Sequence, residues 1–250
     1  MPKLFDPSIV WEGIPQLLPY LPITMEIVLV SAFFALLLGF AIALIKVNRV
    51  PVLQKVAAVY VSYMRGTPLL VQLYIAFYGV PILLEYMNRS FGTHYSINNI
   101  SGMFFVIIAF SLNEAAYSSE TIRAALQAVD KGQIEAGYSI GLSTLQVFRY
   151  IILPESLKIA LPSLGNIFIG LLKGTSLAFV CAVVEMTAAS RLIAGRNLRF
   201  FEMYVSLSLI YWALSLISER LFAFMEKRLR KSDNVLLKDQ ELVKAEEMDD

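Results

Sequence analysis

Long apolar runs alternate with short polar clusters along the chain, and the runs are too long for the core of a soluble domain. A helix needs roughly 20 mostly apolar residues to cross a bilayer, because each residue adds about 1.5 Å to a path of about 30 Å. Residues 22–45 meet that length and carry no charge from position 27 onward. Pro22 suits a first helical turn, where no backbone N–H is required, and the run closes on Lys46, Asn48, Arg49 and Pro51. The next apolar region, 52–86, is interrupted by Gly66-Thr67-Pro68. Proline removes one backbone hydrogen bond and crowds the preceding turn. The pattern predicts a helical segment over 52–65, a kink near Met64 and a span from Pro68 to about Leu84. Residues 85–99 are polar and read as a loop. A third helix is expected from near Ile100 to about Val129, although polar residues enter it at Asn113. Asn113, Tyr117 and Glu120 share one of its faces by spacing. After a polar-to-amphipathic connection over 130–158, residues 162–184 form a fourth span that contains Lys173. A polar loop, 185–202, precedes a charge-free run over 203–218 that extends into a fifth span. The expectation is an all-α integral membrane protein with five transmembrane helices.

Composition agrees with that expectation. Of 250 residues, 57% are hydrophobic and only 16% charged, with a net charge of +1. Soluble domains carry about 25% charged residues, so an ordinary soluble enzyme, a basic nucleic-acid binder and a disordered chain are all excluded. Cys181 is the sole cysteine and His94 the sole histidine. No intrachain disulfide or two-histidine metal site can be built, and a nucleophile–histidine triad would have only His94, which sits in a polar stretch. No metal site is expected. Lys173 precedes Gly174 rather than following a glycine, so residues 170–176 are not a phosphate-binding loop. Energy for any transport must come from another chain or from a gradient.

Lys and Arg near the span ends set orientation. Lys46, Arg49, Lys55, Arg123, Lys131, Arg149, Lys158 and the basic cluster at 227–231 fall on one side; Lys3, Arg89, Arg191, Arg196 and Arg199 fall on the other. The richer side is expected to be cytoplasmic, which puts the N-terminus outside, the C-terminus inside and the 130–158 connection in the cytosol. Residues 1–21 lack the charged, apolar and small-residue order of a signal peptide and read as an external interfacial segment. The tail, 229–250, is acidic and reads as a solvated cytoplasmic end.

The 130–158 connection has its own design. Residues 133–140 can form a short helix with Glu135 in its first turn, where the helix dipole favours a carboxylate. Ala136 and Gly137 are small and would let another surface approach closely. Gly141 can take the left-handed conformation that ends a helix. Ser143 and Gln146 form a capping-box pattern opening a second helix, which Leu153-Pro154 is expected to end. Two short angled helices on the cytoplasmic side suit docking into a partner's cleft, or lying flat on the membrane.

Glu135-Ala136-Gly137, Gly141, then Ile151-x-Leu153-Pro154 resembles the EAA loop of the membrane subunits of ABC importers, with Gly137 where alanine is usual. Residues 63–72 (YMRGTPLLVQ), Ala116-Tyr117-x-x-Glu120-x-x-Arg123 and Lys173-x-Thr175-Ser176-Leu177 are similar to polar amino-acid permeases. The resemblance covers roughly residues 22–224. It implies a type I importer permease fold over 22–228, with two permease protomers, identical or paralogous, lining one pathway in a bacterial cell membrane. It further implies that Glu135, Ala136, Gly137, Gly141, Leu153 and Pro154 dock on a separate ATPase, which holds ATP and magnesium. On this reading the chain binds no cofactor and catalyses no reaction itself, and an external solute-binding protein delivers an amino acid.

An ionisable group inside a span costs about 2.5–3.5 kcal/mol on insertion scales and is a functional candidate by default. Lys173 lies about 16 Å of rise beyond Pro162, near mid-membrane, where it could pair with Glu114 or Glu120 or line the pathway. Arg65, Gln72, Asn113, Glu114, Lys173, Thr175 and Ser176 are the candidate pathway residues. Gln72 also fits plain helix packing, and Arg65 could contact backbone or phosphate at the boundary. The competing function is a gradient-driven secondary transporter, whose ion site could start only from Glu114 and Lys173.

Overall fold

The computed structural model describes residues 5–95 and 100–249, with side chains as far as residue 229. Among these, five helical stretches are long and apolar enough to cross a membrane: Pro7–Val47, Leu69–Phe91, Gly102–Gln127, Thr144–Cys181 and Phe200–Leu229. The expected five spans are present, with different boundaries.

The entry segment is helical. Helix α1, Pro7–Leu17, starts at Asp6, whose carboxylate accepts a bond from the Ser8 N–H at 3.1 Å. A 3₁₀ turn, Leu18–Tyr20, leads into α2, Leu21–Val47. Val10, Gly13 and Leu17 share one face of α1 and are buried. The Ser206 hydroxyl, on the last helix α11 (Phe200–Asp249), donates to the Val10 carbonyl at 2.8 Å. Residues 1–4 and the tail side chains lie outside the described residues, so the charges expected there are not placed.

Helix α3, Leu53–Gly66, does not kink at Pro68; it stops. Thr67 and Pro68 are extended, and α4, Leu69–Tyr74, begins afresh. Restricting the residue before proline to extended backbone explains the break. A π turn, Ile75–Gly79, joins α4 to α5, Val80–Phe91, which ends where Gly92 takes φ +64°. Helix therefore occupies residues 85–91, which the polar pattern had assigned to a loop.

Helix α6, Gly102–Gln127, is followed by α7, Lys131–Ser139, α8, Thr144–Val147, and α9, Leu153–Gly174. The expected stop at Leu153-Pro154 does not occur. A π turn, Phe148–Ile152, carries α8 directly into α9. The same device serves both continuing prolines. Pro81 and Pro154 would crowd the carbonyls four residues earlier, at Phe77 and Tyr150, and both of those sit inside a π turn. The widened turn makes room for the ring and absorbs the missing N–H. After α9, a 3₁₀ segment, Thr175–Cys181, and a left-handed Ala182 lead to α10, Met186–Asn197.

The core lies where α2, α4, α6 and α9 meet, around Ile27, Leu73, Phe110, Leu171 and Leu172. Ser31, Ala35, Gly39 and Ala43 recur every fourth residue on α2 and are all buried. They form a flat strip against Ala115, Ser118 and Ser119 of α6, the small-residue packing expected between helices in lipid. A Cβ on Gly39 would lie 3.0 Å from the Ser118 Cβ and 3.2 Å from the Ala115 carbonyl oxygen. Gly39→Val is therefore expected to wedge α2 from α6 at a cost of about 1–3 kcal/mol. A lowered thermal midpoint of the detergent-solubilised protein would register it, and an unchanged midpoint would refute the close seam.

The ends of α2 mark the two ends of the molecule. Thr24 accepts a bond from the Met186 N–H at 3.3 Å, placing α10 at its start. Lys46 pairs with Glu120 of α6 near its finish. Those points are about 33 Å apart along the helix, so α10 and the α6–α7 corner face opposite ways.

Candidate coupling surface and pathway residues

Helix α7 begins two residues earlier than the pattern predicted. Asp130 is its N-cap, and its side chain accepts from the Gln133 N–H at 3.2 Å. Glu135 consequently lies beyond the first turn and is exposed, so Asp130 rather than Glu135 meets the positive end of the helix. Ala136 is exposed, whereas Gly137 is buried. A Cβ at Gly137 would stand 2.5 Å from the Ile151 Cδ1 and 3.3 Å from the Val147 Cγ2. The close approach that this glycine permits is made within the hairpin, by the π turn after α8, and only Ala136 remains open to a partner.

Gly141 ends α7 with φ +86°. Its N–H bonds to the Tyr138 carbonyl at 2.9 Å and that of Leu142 to Gly137 at 3.1 Å. The capping box forms as its sequence pattern predicts, with the Ser143 N–H on the Gln146 side chain at 2.8 Å and the Gln146 N–H on the Ser143 hydroxyl at 3.4 Å. Leu153 and Pro154 are exposed at the start of α9.

Exposed apolar residues cover the tip of the hairpin. Ile140 is 78% exposed, Leu145 75% and Tyr138 47%. Within α8 it is Val147, not Leu145, that is buried. Large apolar side chains exposed together mark a contact with another protein or with the membrane.

The candidate pathway residues fall into three groups. Gln72 and Asn113 are buried together, with the Asn113 amide donating to the Gln72 Oε1 at 3.0 Å. Gln72 also donates to the Met64 carbonyl and to the Thr67 hydroxyl, at 2.9 and 2.8 Å. The pair thus satisfies the backbone freed at the Thr67-Pro68 break, as buried polar groups must be satisfied in lipid. Arg65 is exposed and stacks over the Tyr117 ring at 5.4 Å, four residues along the α6 face from Asn113.

Glu114 lies on another face of α6. It lines a cavity of about 570 Å³ between α2, α6, α9 and α11, whose walls include Phe33, Leu36, Leu161 and Phe222. Only Ser118 and Ser156 add polar groups to that lining. Lys173 is exposed in the last turn of α9 and forms no ion pair among the described residues. The ion pair with Glu114 or Glu120 considered from sequence is absent among the described residues. Glu120 is instead held by Lys46 and by Arg123, the latter at 2.8 Å. Lys173 also lies farther along its helix than expected, because α9 starts at Leu153 and not at Pro162.

Thr175 is fully buried, and its hydroxyl donates to the Leu172 carbonyl at 2.7 Å. Ser176 is half-buried beside it. Sequence reasoning missed the partners of Thr175. Tyr211 of α11 places its hydroxyl 3.2 Å from Thr175, 3.3 Å from Thr187 and 3.3 Å from the Glu185 carboxylate. Glu185 is the N-cap of α10 and accepts from the Thr187 and Ala188 N–H groups at 2.8 and 2.9 Å. Burial pushes its carboxyl above the ordinary range, while those donors pull it back. The signal that could have found it was an acidic residue followed by small and polar ones before a helix.

The geometry can be set beside known proteins. Residues 14–231 match the family described as binding-protein-dependent transport system inner membrane component. The L-cystine transport system permease protein TcyL of Bacillus subtilis (strain 168) is 38% identical, over 93% of this chain and 95% of that one. The probable amino-acid ABC transporter permease protein PatM of Vibrio harveyi is 39% identical, over 91% and 98%. A crystal structure of an amino acid ABC transporter with histidines contains a chain that superposes with TM-score 0.76 at 32% identity, covering 90% of this chain and all of that one. An inward-facing structure of the MetNI methionine ABC transporter shares the fold, with TM-score 0.66 at 17% identity, covering 86% of this chain and 96% of that one.

Proposed function

The chain belongs to the family of binding-protein-dependent transport system inner membrane components, and from that membership we propose that it is the permease subunit of an ATP-driven, binding-protein-dependent amino-acid importer. The observation that carries the proposal is the α7–α8 hairpin, which presents Glu135, Ala136, Tyr138, Ile140 and Leu145 away from the spans. A rigid, capped, apolar-tipped knuckle fits a cleft on an ATPase that holds ATP and magnesium.

Two such protomers, identical or paralogous, enclose the pathway. ATP binding draws the ATPases together, the hairpins follow, and the spans exchange an inward-facing for an outward-facing cavity. The hairpin end is cytoplasmic, as is the tail, 229–250, and the N-terminal segment, 1–21, lies outside. Lys173, Ser176, Arg65 and Glu114 are the pathway candidates with side chains accessible to a solute. Gln72, Asn113 and Thr175 have their hydrogen bonds engaged within the protomer and support the pathway from behind. The gradient-driven alternative is weaker, because the Glu114–Lys173 pairing that motivated it is not formed among the described residues.

The test is reconstitution with an ABC ATPase and a solute-binding protein from the same source. Uptake into proteoliposomes is expected to require ATP and both partners. An Ile140→Asp/Leu145→Asp variant is expected to insert normally but to lose co-purification with the ATPase. Uptake driven by an ion gradient without ATP would overturn the proposal.

A further inference from the structure

We propose that Glu185 and Tyr211 are positioning residues that lock the Lys173–Ser176 end of α9 to the outer helix α10, so that displacement of α10 is passed to the pathway. The proposal rests on the importer reading above and names the device that would connect its outer partner to its pathway.

The polar groups in question are far apart in sequence and close in space. Thr175 opens the 3₁₀ segment in which α9 gives way, and Glu185 opens α10 ten residues later. Tyr211, from α11, touches both and so closes that ten-residue excursion into a fixed loop. Its ring lies at the seam between two apolar clusters, one around α2, α6 and α9 and the other around α1, α10 and α11. Glu185, Thr175 and Ser190 are fully buried, and Tyr211, which joins Glu185 to Thr175, is half-buried. Thr24 adds α2 by accepting the Met186 N–H.

The excursion is also packed into the core, where Ala178, Cys181 and Val183 are buried. Ala182 is held at φ +57°, an unfavourable conformation for a non-glycine residue, and it persists only where surroundings impose it. The two exposed or half-exposed pathway candidates, Lys173 and Ser176, sit on either side of the bonded Thr175. Moving α10 would pull on Glu185, then Tyr211, then Thr175. The end of α2 that carries this network is the one opposite the coupling hairpin, where a solute-binding protein would land.

The complete transporter, with ATPase and binding protein, provides the test. A Cys181→Ala, Ser176→Cys chain is reconstituted, and the rate of reaction with a charged thiosulfonate reagent is measured without nucleotide and after trapping with ATP and vanadate. In the otherwise unaltered protein, trapping in the presence of binding protein is expected to change the rate at least fivefold. Tyr211→Phe, which keeps the ring and removes only the hydroxyl, is expected to reduce that response to less than twofold. Glu185→Gln, which keeps one acceptor, is expected to fall between, and Tyr204→Phe on the exposed face of α11 to respond like the parent. Basal ATPase activity of the Tyr211, Glu185 and Tyr204 variants should stay within twofold of that of the Cys181→Ala, Ser176→Cys parent. A full response in Tyr211→Phe would overturn the proposal. So would a parallel loss of basal ATPase and thermal stability, which would make the network merely structural. An absent response in the parent chain that still shows ATP-driven uptake also refutes the relay, whereas absent ATP-driven uptake by the unsubstituted chain refutes the importer reading itself.

Discussion

Gly141→Val is expected to abolish coupled transport, lowering ATP-driven uptake at least tenfold while leaving the spans folded. Gly141 holds φ +86°, where a β-branched side chain meets the backbone and costs about 1–3 kcal/mol. Nothing lies within 4 Å of the site a Cβ would occupy, so the penalty is conformational and not a clash. The cheapest relief is to unwind the end of α7. That breaks the bonds from Gly141 to Tyr138 and from Leu142 to Gly137. A knuckle that bends at its tip no longer transmits a push. Gly141→Asn should keep more activity, because asparagine enters the left-handed region more readily. Uptake and ATPase rates measured on the same proteoliposomes separate uncoupling from misfolding. Full uptake by Gly141→Val would remove the hairpin from the mechanism.

The second large effect is expected at Glu120. Its carboxylate holds Lys46 of α2 and Arg123 of α6, and about a fifth of the Lys46 and Glu120 side chains is exposed. Glu120→Leu leaves two cations at a helix seam with one acceptor gone. The expected loss is about 2–3 kcal/mol, below the roughly 3–5 kcal/mol of breaking a fully buried pair because of that residual exposure. Arg123 retains the Gln127 side chain at 2.7 Å, whereas Lys46 has no other acceptor among the described residues. Lys46→Met/Glu120→Leu is therefore expected to recover more than half of the lost stability. Thermal midpoints of the four proteins in one detergent form the double-mutant cycle. Purely additive losses would show that the pair does not clamp α2 to α6.

The sequence pattern was most legible where a single physical rule operated. Span count followed from apolar run length, and the Ser143–Gln146 capping box and the left-handed turn at Gly141 followed from local chemistry. It failed where tertiary structure altered the local rule. Pro81 and Pro154 sit in continuing helices because a π turn precedes each of them, and no residue pattern announced those turns. The helix over residues 85–91 was hidden by polar side chains on an exposed face. Asn113 and Gln72 were visible as polar groups in spans, but their bond to each other depends on the break at Thr67. Lys173 was counted from Pro162, whereas its helix begins at Leu153. Glu185, Tyr211 and Thr175 are separated by 10 to 36 positions, and their meeting could be found only in three dimensions.

The absence of a joint at Pro154 bears on how far a small motion reaches. From Thr144 to Gly174 the chain is one continuous helical run of 31 residues, about 46 Å along its axis, with a π turn, Pro154 and Pro162 inside it. Pivoting near its midpoint by about 5° would sweep each tip through about 2 Å, comparable to the radius of a small solute's polar head. Where the run turns as one body, a stroke of that size at one surface is returned, reversed, at the other, as on a seesaw. A hinge at the proline would have dissipated it in bending.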